Sequence, residues 1–437
     1  MKHLICLTLA SLSMDAAWRT GAAAVKITPS ESIWMAGYAA RTKPSEGVLQ
    51  DIHAKALALE DETGAKSVVV TLDLVGIRKR MADDIAERVR AKHGIPRERL
   101  WFNASHTHSA PLVGDSDTYQ LGEFTQAQQP VLTRYRAWVA DRIAESIDKS
   151  LAALAPSTLH FEQSLAGFAV NRRRVGHREY PGPVDHDVPV LFAKNPDGKV
   201  TAILFGYACH NTVLGDYTIN GDYAGFAQEA LEQRFPGAVA LFVQGAGADS
   251  NPLPRRTVEL ARKYGTTLAD AVGEVVKGKP KSVTGPLRAA FELADIRFAG
   301  PVPKADWEAR ASSGSTQEKR HAARMLKIIE TDGKLRETYP YPVQAWRFGA
   351  GPTIFTLGGE LVVDYSLRIK AKYGWDNTWV AGYSNDVFGY IPSVRVLREG
   401  GYEGGGAMLF GSFPGPFADD VEDRIAAAID RVAAKVK

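Results

Sequence analysis

Short apolar runs alternate with amphipathic helical stretches almost from end to end, and that alternation admits few architectures. The run KSVVVTLDLV (Lys66–Val75) has the length and β-branching of a buried strand. It feeds RKRMADDIAERVRAKHGI, where Met81, Ile85 and Val89 recur at helical spacing and Gly94 supplies a C-cap. The same reading predicts strands at RLWFNAS, KVTAILFGYAC, AVALFVQGAGADSNP, PLRAAFELADIRFAG, TIFTLGGELVV and NTWVAGYSND. It predicts helices over Val131–Pro156, stopped by the proline, at DYAGFAQEALEQRFPG and RRTVELARKYGTTLADAVGEVVKG, around Trp307–Thr331, and at ADDVEDRIAAAIDRVAAKV. An α/β class follows, with mixed β-sheets covered by helices. The most loop-like internal stretch, ASSGSTQEKR (Ala311–Arg320), is too slight for a domain boundary, so one large domain over residues 21–437 is expected.

Composition narrows the partners. The chain is 437 residues long, 45% hydrophobic and 24% charged, which suits a sizeable packed core rather than disorder. Basic residues exceed acidic ones by three, 53 against 50, with no basic block, so nucleic acid and anionic membrane surfaces are not expected partners. Lys2 and His3 precede a short apolar run, Leu4–Leu12, and then small residues. That pattern predicts a secretory signal over residues 1–20 and a secreted or periplasmic protein. Cys6 lies too close to Met1 to be a lipid anchor, and Cys209 alone makes no disulfide framework. No later window reaches the ~18 apolar residues that a membrane-spanning helix needs.

The chemistry concentrates in five places. In LWFNASHTHSAP, His106 and His108 would share one face of a strand at its C-terminal end, where α/β folds open their sites. They suit a zinc ion, or one ligand plus one acid/base group, with two structural histidines as the plain alternative. His210 ends a predicted strand in YACHNTVLGDY and is a single candidate ligand. The loop FVQGAGADSNPLPR brings Gly245 and Gly247 before Asp249, Ser250 and Asn251, and its backbone N–H groups could approach a substrate oxygen. It has neither a G-x-S-x-G elbow nor a phosphate-binding loop. In GGELVVDY, Glu360 sits in an apolar run where a buried carboxylate needs a partner. The fifth segment, SNDVFGYIPSVRVLREGGYEGG, holds Tyr390 and Tyr402 and is too glycine-rich for a plain helix. His53, His93, His160, His177, His186 and His321 take no catalytic role.

Together these segments resemble the catalytic domain of the neutral/alkaline non-lysosomal ceramidase family. The resemblance rests on ASHTHSAP (family pattern T-H-T-H-S-G-P), VNRR, GDYAGFA, the glycine-aspartate loop, GGE and YIPSVRVLREGGYEG, in the family's order. It implies a zinc-dependent amidohydrolase with one zinc ion per chain, held by His106, His210, Glu360 and Tyr390. It makes His108 the second histidine of the H-T-H motif, Arg172 the substrate-side arginine and Tyr402 the second tyrosine. Tyr402 follows Tyr390 by twelve residues, the family's own interval. Two departures are visible. The family's G-D-V-S-P-N loop carries a catalytic serine. Here GADSNP aligns Asn251 with it and leaves Ser250, one place earlier, as the candidate. The chain also ends at Lys437, so the family's C-terminal β-sandwich domain is not expected. Both departures detach ceramide itself from the expectation and leave zinc and hydrolysis in place.

The leading expectation is therefore a zinc hydrolase acting on an N-acyl amide of a lipid or small molecule. A metal-dependent ester or phosphoester hydrolase would be expected to bring more carboxylate ligands. A binding protein on a degenerate version of the fold would be expected to have lost a ligand. A metal-free serine hydrolase would depend on Ser250.

Overall fold

The computed structural model describes residues 18–114, 127–176, 179 and 181–437. Most of the segment read as a secretory signal, residues 1–17, lies outside the described residues, as does His177. The last three residues of that segment, Trp18–Thr20, lie in the strand Trp18–Lys26, and the Trp18 indole is buried.

The main sheet runs in the order Val239–Gln244, Val200–Tyr207, Asp187–Lys194, Ala155–Leu165, Trp18–Lys26, His53–Glu60, Lys66–Leu72, Leu100–Ala104, with Lys281–Val283 added against Ala155–Leu165. Its two ends are parallel pairs and its middle is antiparallel. Alternate residues point to opposite faces of a strand. Val68, Val70 and Phe102 face the helices Lys79–His93 and Gln129–Ala152. Val190, Ile203 and Phe242 face the helices Asp222–Arg234 and Val258–Lys277. The intervening residues Leu57, Val69, Trp101, Leu204 and Leu241 form the other face, packed on a second sheet.

That second sheet has four strands in the order Leu287–Arg297, Thr338–Phe348, Thr353–Leu357, Thr378–Ala381, the last pair parallel. Its inner residues Trp346, Phe348, Ile354 and Trp379 complete the core between the sheets, where Trp101 meets Trp346 edge-on at 5.8 Å. The helices Val363–Tyr373 and Val421–Lys435 cover its outer face. The expected class holds: mixed sheets, covered by helices.

The main sheet curls until its two edge strands meet. Asn103 Nδ2 donates to Gln244 O at 3.3 Å, and the Gln244 N–H returns a bond to Asn103 Oδ1 at 2.8 Å. Asn103 Nδ2 also donates to Gly382 O at 2.8 Å, tying in the second sheet at the same point.

Two expected boundaries are corrected. The helix begun near Val131 ends at Ala152, and Pro156 lies inside the next strand, so the proline does not stop it. The stretch Ala311–Arg320 is not a loop. It ends the helix Lys304–Ser313 and starts the helix Thr316–Asp332 through a capping box of Ser315 and Glu318. The strands Trp18–Lys26, His53–Glu60 and Asp187–Lys194 escaped the periodicity reading. The first two are alanine-rich and weak in β propensity, and the third contains Pro189.

Candidate active site

The site lies where strands of both sheets end. Beyond Ala104 the backbone leaves the sheet, and His106 takes a left-handed conformation, φ 62°. Its N–H donates to Leu74 O at 2.9 Å, and that of Ser105 to Leu72 O at 2.8 Å, which fixes the turn. His106 and His108 do meet, Nε2 to Nε2 at 3.0 Å, but through this turn and not through strand alternation as expected. Strand periodicity had already stopped at Ala104. Gly37, φ 93°, passes so close beneath that a Cβ there would stand 2.4 Å from the His108 ring.

His210 follows the strand Val200–Tyr207 and is fully buried. Its Nδ1 lies 2.8 Å from Gly247 O in the loop after Gln244, and the Nδ1 of His106 lies 2.6 Å from Val75 O. A carbonyl only accepts, so each imidazole carries a proton on Nδ1, and in the neutral tautomer Nε2, which faces inward, is the nitrogen free to bind a metal. Burial and the Arg172 charge press His210 down to about 4, which keeps it neutral at pH 7.

Glu360 enters from the second sheet. The turn after Leu357 uses Gly359 at φ 69°, and Glu360 pairs in parallel register with Tyr390. Glu360 Oε2 is 3.2 Å from His106 Nε2 and 3.4 Å from His210 Nε2, and it has no hydrogen-bond partner. Burial raises this carboxyl, and His106 and His210 hold it well below its usual range when they are protonated beside it. Tyr390 Oη stands 3.4 Å from His210 Nε2 and accepts from Arg172 Nη2 at 3.0 Å. Burial, with Glu360 beside it, drives the Tyr390 phenol well above its ordinary value.

These separations fit a metal. Donors about 2.0–2.1 Å from a tetrahedral zinc ion stand about 3.3 Å apart, close to the 3.2, 3.4 and 3.4 Å found here. The ring nitrogens of His106, His108 and His210 also form a mutual group able to hold a metal ion. His108 differs from the other two because its buried Nδ1 has no hydrogen-bond partner, while its Nε2 faces the Nε2 of His106 at 3.0 Å. Burial, with His106 and His210 adding, holds it well below its ordinary value and therefore neutral.

Arg172 follows the short strand Ala169–Asn171. Its Nε donates to Glu403 Oε1 at 2.7 Å, and Nη1 lies 3.5 Å from both His210 Nε2 and Asn251 Oδ1. Burial would lower this guanidinium, but Tyr390 and Glu403 outweigh it and keep it charged. Tyr402 is half-exposed, edge-on to Tyr390 at 5.2 Å, beside a cleft of about 470 Å³ lined by Arg172, Arg173, Glu399 and Glu403. Ser250 is fully buried. Its Oγ has no hydrogen-bond partner, so no base stands beside it, and Asn251 is the loop residue that faces Arg172.

Three neighbours were not found from the sequence. Glu403 clamps Arg172 and Arg173, each at 2.7 Å, and its place next to Tyr402 was the only available signal. Tyr383, φ 50° and fully buried, lies against His106 with ring centroids 4.6 Å apart. Tyr38 meets His108 edge-on at 4.8 Å.

Comparison with known proteins agrees with the resemblance. Residues 18–285 match the family model for neutral/alkaline non-lysosomal ceramidase, N-terminal. The crystal structure of neutral ceramidase from Pseudomonas aeruginosa is similar to this fold at a TM-score of 0.74 and 20% identity, over 96% of this chain and 75% of that one. A structure described as ceramidase complexed with C2 gives a TM-score of 0.74 and 20% identity, over 97% and 76%. No curated protein sequence matches. At such identity the structural likeness carries the fold, and the match over residues 18–285 carries the membership: the chain belongs to the neutral/alkaline non-lysosomal ceramidase family.

Proposed function

We propose that the protein is a zinc-dependent hydrolase that cleaves the amide bond of an N-acyl compound, a lipid or a smaller molecule. One observation carries this reading. The inward-facing Nε2 atoms of His106 and His210 and the unpartnered Glu360 Oε2 face one another at 3.2 and 3.4 Å. Three acceptors held in a buried site at that spacing call for a cation. Family membership supports an amidase-type hydrolase as the reaction class.

In this reading His106, His210, Glu360 and Tyr390 hold the zinc ion. The ion, when bound, would supply Lewis acidity, making a water more acidic and polarising the scissile carbonyl. His108 is left out of the ligand set because no carbonyl fixes its Nδ1, so as a neutral imidazole it has one nitrogen to accept a proton and one to donate to the leaving amine. Arg172, kept charged by Glu403, orients the Tyr390 hydroxyl and offers donors to the substrate oxygen. Tyr402, at the cleft mouth, packs on the substrate. Ser250 lacks a base, which favours Asn251 as the loop residue that meets substrate.

Elemental analysis of purified protein, paired with turnover of N-acyl amides, tests the reading. About one zinc ion per chain is expected, falling in His106→Ala and in Glu360→Ala together with amide hydrolysis. A folded wild type that takes up no zinc would sink it and favour a binding protein on this fold.

A further inference from the structure

The cations around the site are paired on one side and unpaired on the other. On the cleft side, Glu403 binds Arg172 and Arg173, and Glu399 binds Arg173 and Arg174. Elsewhere the deeply buried Lys55 and Lys370 are paired as well, with Glu232 and with Asp185 and Asp187, while the half-buried Arg99 and Arg324 are met by carbonyls and a hydroxyl alone. Burying a charge without a partner is unfavourable, so pairing is the ordinary pattern for the most deeply buried cations.

The His108 side breaks it. Arg41 is only 7% exposed, yet its guanidinium has backbone partners alone, Asp216 O at 2.7 Å and His108 O at 3.0 Å, and its Nε has none. The Asp216 carboxylate is instead turned to Thr218. Arg256 Nη1 donates to the Tyr38 hydroxyl at 3.1 Å, and the guanidinium groups of Arg41 and Arg256 lie 5.4 and 5.2 Å from the Tyr38 ring centroid. That ring is the one edge-on to His108. Arg255 makes no hydrogen bond or ion pair among the described residues; burial lowers its guanidinium, Arg256 and Arg172 add to that, and Tyr38 and Asp222 act against it. Of the other carboxylates nearby, Glu46 is paired with Lys43, and Asp222 is buried beneath, where the N–H groups of Val213, Leu214 and Tyr223 bond to it and Arg256 acts on it only through space. Among the described residues, Arg41 and Arg256 thus flank the Tyr38 ring, with Arg255 next to Arg256 in the chain, and none of the three has a carboxylate in ion-pair contact.

We propose that the missing counter-charge comes from the substrate: the site takes amides that carry an anionic group, a carboxylate or a phosphate, held by Arg255 and Arg256 beside Tyr38. This deepens the amide-hydrolase reading and rests on it. Arg41, too deep to reach a ligand, keeps the wall positive from behind. Guanidinium groups suit the role because their forked donors match a carboxylate or phosphate.

The test compares N-octanoylglycine with N-octanoylglycinamide, which differ in the charge and keep the same scissile bond. Wild type is expected to favour the carboxylate at least tenfold in kcat/KM, through KM. Arg255→Ala/Arg256→Ala is expected to bring the ratio of the two substrates close to one, while Arg255→Lys keeps most of it. Because the ratio is internal to each variant, a partly unfolded preparation does not mimic the effect. A phosphate-bearing amide, N-octanoylethanolamine phosphate, tells which anion is preferred, and either preference supports the proposal. Equal turnover of charged and neutral amides by wild type overturns it and leaves amide hydrolysis standing. Should neither amide be cleaved, amide hydrolysis itself fails, and calorimetric binding of the same two compounds decides the anion site: equal affinities in wild type overturn it, and weaker binding of the charged one in the double variant supports it.

Discussion

His210 joins burial, tautomer and charge in one side chain. Its imidazole is lowered to about 4 inside the fold from an ordinary 6.5. A group depressed in this way stabilises the fold fully above the unfolded value, and that stability is lost as pH falls from 6.5 towards about 4. In metal-free protein, His210→Ala removes this dependence. The gap in unfolding free energy between wild type and variant should narrow by about 2 kcal/mol between pH 6.5 and 5, measured by denaturant titration. A gap independent of pH would mean His210 is not held neutral. Asp222 acts in the opposite sense. Burial raises it to about 6, so its contribution is fully present below its ordinary 3.8 and is lost as pH rises through about 6. The two effects oppose each other across the same window, which is why the variant difference, and not the wild-type curve, is the quantity to measure.

The elements that carry the site were legible to different degrees. H-T-H, A-C-H-N, G-G-E and the paired tyrosines stood out as motifs because each is a short, local run of chemistry-bearing residues. What brings them together is not local. His106 needs a left-handed turn that strand periodicity does not encode, and His108 needs Gly37, 71 residues earlier in the chain, to leave room for its ring. Glu403 and Tyr38 act through pairings that no spacing announces. Gly37 is therefore an exacting test. Gly37→Ala adds a left-handed penalty to a contact at 2.4 Å, and about 1–3 kcal/mol of stability should be lost together with turnover as His108 is displaced. A variant with wild-type turnover and melting would contradict the packing described for that loop.

At the scale of the molecule, two sheets and the closure of one upon itself frame the centre. Alternation of strands and helices was enough to predict the class, but the order of the strands and the meeting of the sheet edges depend on partners that the sequence does not mark. Asn103 is the clasp. Asn103→Ala would strand the Gln244 N–H and release Gly382 O, and a loss of about 3 kcal/mol is expected in thermal or chemical unfolding, more than surface substitutions give. A loss below ~1 kcal/mol would show that the edges are held chiefly by the tryptophan core between the sheets.

The clasp has a kinetic corollary. Trp101 bonds to Ser384 across 283 residues of chain, and His210 faces Tyr390 across 180, so no fragment of the sequence holds the centre by itself. Such distant contacts form late and slowly, because long segments must first be ordered. Nascent or partly refolded chains would thus carry scattered histidines and glutamates without the pocket that joins them. Chemical competence would appear in one step at the end of folding.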